Sequence, residues 1–510
     1  MTQKLTRRRF VQQSGATVAG VLSPLELQGA SSVRINGGIV ALSAIQLSSA
    51  ILKRSVSCVE VMQAYLSHIG DLNPQFNALV SLRDSSLLLG EAEQRDVELA
   101  RGNYHGWMHG FPHAVKDLAD AAGFVTSNGS PIFENNLARS DAIHIARIRA
   151  AGAIIIGKSN VPEFGLGSHT FNPVFGTTFN AYDGQSSAGG SSGGAAVGLA
   201  LRLLPVADGS DFMGSLRNPA AFNNVIGFRP TPGRVPLSNS FIEELPCNGP
   251  MGRNVEDTAM LLSTMAGYHP SSPSSLNADP SQFTASLKRD FKGKKIAWLG
   301  DFDGYLAMEK GVLDTCTQAL QGFRDIGCLV EAVKPGFSME ELWETWLIMR
   351  HWLTRGRSLP LYEDENMRKL LKPELIWEIE GGAQITGGQV AAASSSRGRW
   401  YAALQEIFEN FDFLVLPTAQ VFPFDAKLRW PQEISGRTMD TYHRWMEVVV
   451  PGTLSGCPVI NVSAGFGANG LPMGLQIIGK RYADFSTLQI AYSFEQATRF
   501  NLNVHPKALG

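Results

Sequence analysis

The chain has 510 residues, of which 44% are hydrophobic and 18% charged, and its formal net charge is −2. This composition excludes disorder, collagen-like repeats and a small disulfide scaffold, because enough apolar residues are present to bury a large core. The balanced charge does not favour binding to nucleic acid. The five cysteines are far apart and have no metal-binding or redox spacing, so we expect buried free thiols.

The first thirty residues have the layout of an export signal. Four basic residues precede the first acidic one, Glu26, and the order Thr6-Arg7-Arg8-Arg9-Phe10-Val11-Gln12 resembles the twin-arginine signal pattern. A weakly apolar stretch follows from Ala16 to Leu22. We therefore predict a signal or disordered segment at residues 1–32, a folded body at residues 33–510, and export to the periplasm. The alternative is a basic disordered arm on a cytoplasmic protein, because no clean cleavage site is present.

Hydrophobic periodicity predicts that helices and strands alternate along the body. Helical spacing of apolar residues predicts helices at 42–52, 59–69, 85–101, 142–151, 195–204, 310–323 and 487–498. Short apolar runs predict strands at 111–117, 153–156, 204–207, 295–299, 413–417, 457–462 and 473–478. Residues 335–445 are rich in tryptophan and arginine and are predicted to be mostly helical. This alternation is typical of a layered α/β protein.

A glycine-rich segment interrupts this alternation. Eight glycines lie between Gly184 and Gly214, a density that is usual for a flexible linker. However, a helix and a strand are predicted within the same segment, between residues 195 and 207. We therefore expect these glycines to allow close backbone approach or unusual φ angles inside a packed region.

The run Gly190-Ser191-Ser192-Gly193-Gly194 matches the Gly-x-Ser-x-Gly pattern of α/β-hydrolases. That motif requires a buried strand just before the serine, but residues 183–188 are polar. His351, His443 and His505 lie where a triad histidine would be sought, and we expect them to be structural or exposed. Because no lysine follows a serine by three positions, a β-lactamase-type site is also excluded.

Three segments read together resemble the amidase signature family of Ser-cisSer-Lys hydrolases. They are Lys116 at a strand end, the Gly-Ser-Ser-Gly-Gly run, and the run Gly209-Ser210-Asp211-Phe212-Met213-Gly214-Ser215-Leu216-Arg217-Asn218-Pro219-Ala220. Further similarity is found at residues 110–117, 151–163, 249–253 and 470–476. The resemblance therefore covers essentially the whole body.

The resemblance implies a fold and an activity for residues 33–510. The fold would be one large α/β domain, with a mixed β-sheet of about eleven strands covered by α-helices on both faces. The activity would be hydrolysis of a carboxylic acid amide to the acid plus ammonia or an amine. No metal and no cofactor are expected, because His, Cys and acidic residues do not cluster at ligand spacing.

The resemblance also assigns the catalytic residues. Ser215 matches the nucleophile, Ser191 the bridging serine that follows a cis peptide bond, and Lys116 the base. A lysine can act as a base only when neutral, so the pKa of Lys116 must be lowered by its surroundings. The apolar residues before Lys116 fit its delivery into a buried site.

Backbone N–H groups before and at the nucleophile are implied as the oxyanion hole, and they belong to Phe212, Met213, Gly214 and Ser215. Met213 departs from the family pattern, which has glycine there. If this position required a positive φ, methionine would be strained; otherwise its side chain would add an apolar wall near the scissile bond, which we expect. Supporting roles are implied for Ser192, Asp211 and Arg217, the last two as an ion pair.

Two other functions and several partners are considered. One alternative is the glutaminase (A-type) subunit of a tRNA-dependent amidotransferase, and the other is a non-catalytic binding protein on the same scaffold. The expected partner is a small amide, without nucleic acid or stable membrane insertion, and a homodimer stays open. The tryptophans expected near the pocket are Trp343, Trp346, Trp352 and Trp445, although core packing would explain them equally well.

Overall fold

The computed structural model describes residues 38–237, 240–242 and 244–510. Its β-strands, in chain order, are β1 Leu79–Val80, β2 Pro112–Lys116, β3 Ile154–Ser159, β4 Phe171–Asn172, β5 Gly176–Thr177, β6 Val206–Asp211, β7 Ile226–Arg229, β8 Cys247–Gly252, β9 Lys295–Trp298, β10 Leu329–Ala332, β11 Phe413–Pro417, β12 Glu433–Ile434, β13 Arg437–Thr438, β14 Val459–Phe466 and β15 Pro472–Ile478.

Eight of these strands form a mixed sheet in the order β10-β9-β11-β15-β14-β7-β8-β6. β9 pairs in parallel with β10 and β11, whereas the other neighbours are antiparallel. Every residue of β6, β7, β8, β11 and β15 is buried except Ser210 of β6. Burial on both faces requires cover on both sides, which the helices supply.

A separate three-stranded sheet has the order β1-β3-β2, with β2 and β3 parallel. The expectation of a single sheet of about eleven strands is therefore corrected to eight strands plus three. At the junction of the two sheets, the backbone N–H of Lys116 on β2 faces the side-chain carboxylate of Asp208 on β6, at 3.3 Å from each oxygen. The backbone of β2 is thus linked to β6 through a side chain.

The α-helices are α1 Ala44–Leu52, α2 Cys58–Phe76, α3 Ser85–Ala100, α4 Ile143–Ala150, α5 Gly193–Ala200, α6 Arg217–Phe222, α7 Val255–Met265, α8 Val312–Ala319, α9 Gln321–Asp325, α10 Met339–Glu363, α11 Glu365–Arg368, α12 Pro373–Ala383, α13 Gly387–Asn410, α14 Val450–Leu454, α15 Asp484–Thr498 and α16 Phe500–Asn503. Ser43 and Ser57 begin α1 and α2 with capping boxes, in which serine and the third helical residue satisfy each other's backbone N–H groups.

The α/β class and the helical character of the segment around residues 335–445 are confirmed. All five cysteines are free and buried, as expected. Within the described ranges, we find no helix long and apolar enough to cross a membrane. The predicted signal at residues 1–32 lies outside the described residues, and the described residues form one compact unit.

Candidate active site

The structure brings Lys116, Ser191 and Ser215 together at the ends of three elements. Lys116 is the last residue of β2, Ser191 lies just before α5, and Ser215 lies between β6 and α6. Their exposed fractions are 1%, 2% and 7%, respectively. The peptide bond between Gly190 and Ser191 is cis. The most accessible of the three is therefore the residue expected to attack the substrate.

The Nζ atom of Lys116 is surrounded by oxygen atoms. It donates to Oγ of Ser191 at 2.9 Å, Oγ of Ser192 at 2.7 Å and Oγ of Ser210 at 3.0 Å. The carbonyl oxygen of Ser210 lies at 3.2 Å. When neutral, the amine also has a lone pair that can accept a hydroxyl proton. Ser192, expected only as a support, thus contacts the lysine directly.

Burial lowers the pKa of Lys116 from its usual value of 10.5 to about 7, against the opposing effect of the Asp208 and Asp211 carboxylates. The ammonium form loses its hydration inside the protein, which favours the neutral amine. A base with a pKa near neutrality combines a useful neutral fraction with enough basicity to accept a proton. The surroundings of Lys116 therefore suit a general base.

Ser191 and Ser215 line the same cavity, but no hydrogen bond joins their hydroxyl groups. The hydroxyl of Ser215 also has no hydrogen-bond partner elsewhere in the described ranges. The two loops are instead connected through the backbone, because the N–H of Ser192 donates to the carbonyl of Ser215 at 3.2 Å. Lys116 therefore has a side-chain hydrogen bond to Ser191, whereas Ser191 has none to Ser215.

The expected oxyanion donors are not equivalent. The N–H of Gly214 donates to Oδ1 of Asp211 at 2.9 Å, so it is not free to bind an oxyanion. The N–H groups of Phe212, Met213 and Ser215 donate to no other described residue. Backbone N–H groups that are fixed and unpaired are the usual means of binding a developing oxyanion.

Met213 is unstrained, as expected. It does not have a positive φ, and the left-handed conformation in this loop belongs to Gly214, at φ 80°. A Cβ atom on Gly214 would lie 2.9 Å from two methyl carbons of Val449. Both the positive φ and this lack of space therefore require glycine at that position. The Met213 side chain is 97% buried, and it is not part of the cavity lining, which corrects the expectation of an apolar wall.

The loop that carries Ser215 is held by the predicted ion pair. Arg217 donates to both carboxylate oxygens of Asp211, at 2.9 and 3.0 Å. Arg229 lies 3.3 Å from the same carboxylate and was not foreseen. Burial alone would raise the pKa of Asp211, but the two arginines hold it well below its usual range. A carboxylate that stays ionised can keep both the Gly214 N–H and the Arg217 side chain in place.

The glycines around Ser191 allow close packing, as expected. A Cβ atom on Gly194 would lie 2.3 Å from the backbone nitrogen of Asn160 and 2.4 Å from the carbonyl oxygen of Ala78. Such distances exclude any side chain unless the backbone moves. The first turn of α5, which follows Ser191, is thereby pressed against the chain that connects to β1 and β3.

A cavity of about 330 Å³ opens beside the two serines. Its lining is Leu118, Phe164, Gly165, Leu166, Ser191, Ser210, Asp211, Phe212, Ser215, Leu237, Pro246, Asn248, Arg350 and Arg357. None of the four tryptophans proposed as walls is among these residues. Trp346 instead packs edge-on against the outer side of Phe212 at 5.4 Å, and Trp445 packs between Phe222 and Phe424, so core packing accounts for both.

The three histidines considered for a triad lie away from the serines. His351 contacts Glu378 at 2.9 Å, and His443 lies 4.0 Å from the same carboxylate. Burial lowers the pKa of His443 to about 3, so its ring is neutral. His505 is exposed. The α/β-hydrolase alternative is therefore excluded by geometry as well as by sequence.

Several polar residues at the site were missed by the sequence analysis. Asp208, His113 and His144 form a buried cluster beneath Lys116. Arg350 lines the cavity, with its guanidinium carbon 4.8 Å from the ring centre of Phe212. A signal for the first group was present, because His113 is a polar residue within a predicted strand and Asp208 directly follows another, at residues 204–207.

Comparisons with known proteins show the family of this chain. The amidase family matches residues 60–488, and the chain therefore belongs to the amidase signature family. An acylamidase of Rhodococcus erythropolis is 31% identical over 461 residues, which cover 89% of this chain and 95% of that protein. The A-type subunit of the glutamyl-tRNA(Gln) amidotransferase of Thermoanaerobacter pseudethanolicus is 30% identical over 500 residues, or 92% of this chain and 99% of that protein.

The fold is also similar to that of solved structures. The crystal structure of a bacterial aryl acylamidase of the amidase signature family superposes with a TM-score of 0.83 at 27% identity, covering 90% of this chain and 96% of that one. A peptide amidase from Stenotrophomonas maltophilia superposes with a TM-score of 0.75 at 27% identity, covering 90% and 97%. The chain is thus an amidase-family enzyme with the full-length family fold.

Proposed function

We propose that this protein hydrolyses the C–N bond of a carboxylic acid amide through an acyl-enzyme on Ser215. The observation that carries the proposal is the contact between Lys116 and Ser191, in which a buried amine with a pKa near 7 lies 2.9 Å from a serine hydroxyl. A desolvated lysine beside a hydroxyl group is an arrangement that enzymes use for general base catalysis.

Acylation begins with proton transfer. Neutral Lys116 accepts the proton of the Ser191 hydroxyl, and Ser191 in turn accepts the proton of Ser215. The Oγ atom of Ser215 attacks the amide carbonyl, and the C=O electron pair moves to oxygen. The N–H groups of Phe212, Met213 and Ser215 are proposed to bind this oxyanion.

The tetrahedral intermediate then expels the amine. Ser191 passes a proton to the leaving nitrogen and is reprotonated from Lys116, so the C–N bond breaks without release of a free amide anion. Water, deprotonated through the same relay, attacks the ester carbonyl. The C–O bond to Ser215 then breaks, Oγ of Ser215 takes back a proton from Ser191, which is reprotonated from Lys116, and the acid leaves. Lys116 and both serines end in their starting protonation states.

Aryl or bulky acyl amides are the substrate class that we favour. Most of the cavity wall is apolar, formed by residues such as Leu118, Phe164, Phe212 and Leu237. A volume of about 330 Å³ accommodates an aromatic ring plus the amide group. The similarity to an acylamidase and to an aryl acylamidase supports the same class.

Intact-mass spectrometry tests the proposal directly. We expect incubation with a fluorophosphonate to add one phosphonyl group, mapping to Ser215, and we expect release of amine from an aryl amide. A panel of linear aliphatic, aryl and peptide amides would rank the acyl groups. Folded protein that takes up no phosphonyl group and releases no amine would favour the non-catalytic alternative.

A second candidate is the glutaminase component of a tRNA-dependent amidotransferase, favoured by 30% identity to such a protein over 92% of this chain. Free glutamine separates the two functions. An enzyme that releases ammonia from glutamine faster than it cleaves any amide in the panel would support the amidotransferase role. The opposite preference is what we expect.

We also propose that residues 1–32 direct export and that residues 33–510 form the catalytic domain. The twin-arginine pattern at Arg7 and Arg8 supports this. Changing both residues to Lys should keep the protein in the cytoplasm, as seen by fractionation, while a variant with Lys4→Arg should still reach the periplasm. An unchanged distribution in the double variant would contradict export by this route.

A further inference from the structure

A buried carboxylate lies directly beneath the proposed base. Asp208 is 1% exposed, and its two oxygens are each 3.3 Å from the backbone N–H of Lys116. Nε2 of His113 lies 3.0 Å from Oδ1, and Nε2 of His144 lies 3.6 Å from Oδ2. Both imidazole rings are buried to the same degree. Three ionisable side chains thus meet in the core at the strand end that presents the lysine.

This cluster occupies positions that would ordinarily be apolar. His113 and Asp208 face each other from two buried strands, β2 and β6, and His144 comes from α4. Burying such groups costs free energy unless each is hydrogen-bonded. The cluster offsets part of this cost, because the carboxylate accepts hydrogen bonds from the backbone of β2 and from the side chain of His113.

The His144 ring is held in one orientation. The amide nitrogen of Asn248 lies 3.2 Å from Nδ1 of His144, so an amide that donates there places the ring proton on Nε2, which faces Asp208. Asn248 also lines the cavity that contains Ser191 and Ser215. The supporting residues of Asp208 therefore extend to the wall of the substrate cavity.

We propose that Asp208, fixed by His113 and His144, is a positioning residue that holds the end of β2 and sets the pH at which Lys116 becomes a base. This inference rests on the proposed function, because Asp208 can set the pH dependence of turnover only if Lys116 is the base. Asp208 itself does not touch the Nζ atom or the cavity.

The charges around Lys116 single out Asp208. Desolvation lowers the lysine's pKa, and Asp208 and Asp211 on β6 oppose it. Asp211 is neutralised by two arginines, Arg217 and Arg229, whereas Asp208 has no arginine or lysine side chain within ion-pair distance among the described residues. Its negative charge therefore acts on Lys116 with less compensation.

The remaining neighbours complete the local charge balance. Lys158 on β3 faces the cluster, but its Nζ atom lies 3.7 Å from Asp117 and donates to the carbonyl of Ala119 at 2.6 Å. Burial would raise the pKa of Asp208, but the hydrogen bond from His113 and the proximity of the His144 ring hold it well below its usual range. Asp208 is consequently ionised throughout the pH range in which Lys116 titrates.

The test is the pH profile of kcat/KM in Asp208→Asn, measured on the best amide of the panel. Removal of the negative charge should shift the acidic limb of the profile to lower pH by about one unit, the order of magnitude expected for the loss of one nearby unit charge at an effective dielectric constant near 20. Asp208→Glu, which keeps the charge, should leave the limb near its wild-type position.

Asp257→Asn is the matched control. Asp257 is also a fully buried carboxylate that accepts two backbone N–H groups, those of Ala44 and Ile45 at 2.9 and 3.0 Å, but it lies outside the site. Asp257→Asn should have its acidic limb at the wild-type pH even if the variant is less stable. A folded Asp208→Asn enzyme with an unmoved limb, or an equal shift in the control, would overturn the proposal.

A second variant covers the case in which Asp208→Asn does not fold. His144→Leu removes the imidazole nitrogen that lies 3.6 Å from Oδ2 of Asp208, so Asp208 either keeps a less compensated charge or takes up a proton, and the acidic limb moves in either case. An unmoved limb in folded His144→Leu would contradict the proposal. Failure of the proposed function is distinguishable, because it would appear as retained turnover in Ser215→Ala.

Discussion

The Nζ atom of Lys116 and the Oγ atom of Ser191 are 2.9 Å apart, and both residues are almost fully buried. The lysine reaches this point from β2, whereas the serine comes from the loop before α5. Ser192 and Ser210 fix the amine from other directions. The lysine therefore has one orientation, with its amine directed at the hydroxyl of Ser191.

The pH dependence of turnover follows from this lysine. Its pKa is lowered to about 7 by burial, so the active neutral amine is lost as the pH falls below about 7. Activity should decline on that acidic side in proportion to the protonated fraction. Lys116→Ala should lower kcat/KM by about 10²- to 10⁴-fold and remove this limb. A variant that retains the limb would show that another group titrates there.

Ser215→Ala should abolish turnover, with a loss of at least about a thousandfold in kcat, because the covalent intermediate cannot form. The fluorophosphonate adduct should disappear as well, while circular dichroism and the Tm stay unchanged. Ser275→Ala is the control, since that hydroxyl hydrogen-bonds only within its own loop, to His269 and Ser272. Substantial activity in Ser215→Ala would contradict the mechanism.

Gly214→Ala should impair both stability and activity. A positive φ and a Cβ position 2.9 Å from Val449 together are expected to cost about 2 kcal/mol of unfolding free energy and to displace the neighbouring N–H groups. Gly123→Ala shares the backbone cost, at φ 85°, but meets no atom within 4 Å. Thermal unfolding and kcat of the two variants would separate the cost of backbone strain from damage to the site. Equal kcat values would contradict the placement of the Gly214 loop in the active site.

Arg217→Met should lower the free energy of unfolding by about 3–5 kcal/mol, because it removes one of the two charges that compensate the buried Asp211 carboxylate. Urea denaturation measures this loss. Arg149→Met is the matched comparison, since the pair it breaks with Asp141 is partly exposed and should be worth less than about 1 kcal/mol. Similar losses in the two variants would argue against a special role for the Asp211 cluster.

His169 should make the protein less stable in acid. Burial lowers its pKa to about 4 in the folded state, against 6.5 when unfolded, so the unfolded chain binds the proton more readily and stability falls as the pH drops from about 6.5 to 4. At pH 5 the loss is about 2 kcal/mol relative to pH 8. In urea denaturation, His169→Gln should reduce the difference in unfolding free energy between pH 5 and pH 8 by about 2 kcal/mol. An unchanged difference would contradict this role of His169.

The residues proposed as catalytic could be placed from the sequence because their short motifs resemble those of the amidase signature family. Lys116 also lay at the end of a predicted strand, where the structure has the end of β2. β8 could not be found in this way, since Asn248, Gly249 and Pro250 disfavour a strand on propensity. It nevertheless pairs with β6 over six residues, because neighbouring strands on both sides supply the partners.

Contacts between side chains that are far apart in the chain were not predicted. The contact between His113 and Asp208 joins residues 95 positions apart, and a run read as apolar concealed it. The tryptophans were assigned to the pocket by size alone, whereas Trp346 lies behind Phe212 and not on the cavity surface. Which of two large apolar residues faces a cavity depends on packing that periodicity does not encode.

The loop that carries Ser215 depends on the last part of the chain. Arg217 donates to the side chains of Thr453 and Gln476, and β14 pairs with β7 in the centre of the large sheet. During synthesis on a ribosome, all residues named in the proposed relay emerge well before these partners do. The nascent chain would therefore carry an unassembled nucleophile loop, and enzymatic competence would arise only at the end of translation, when the central strands are inserted.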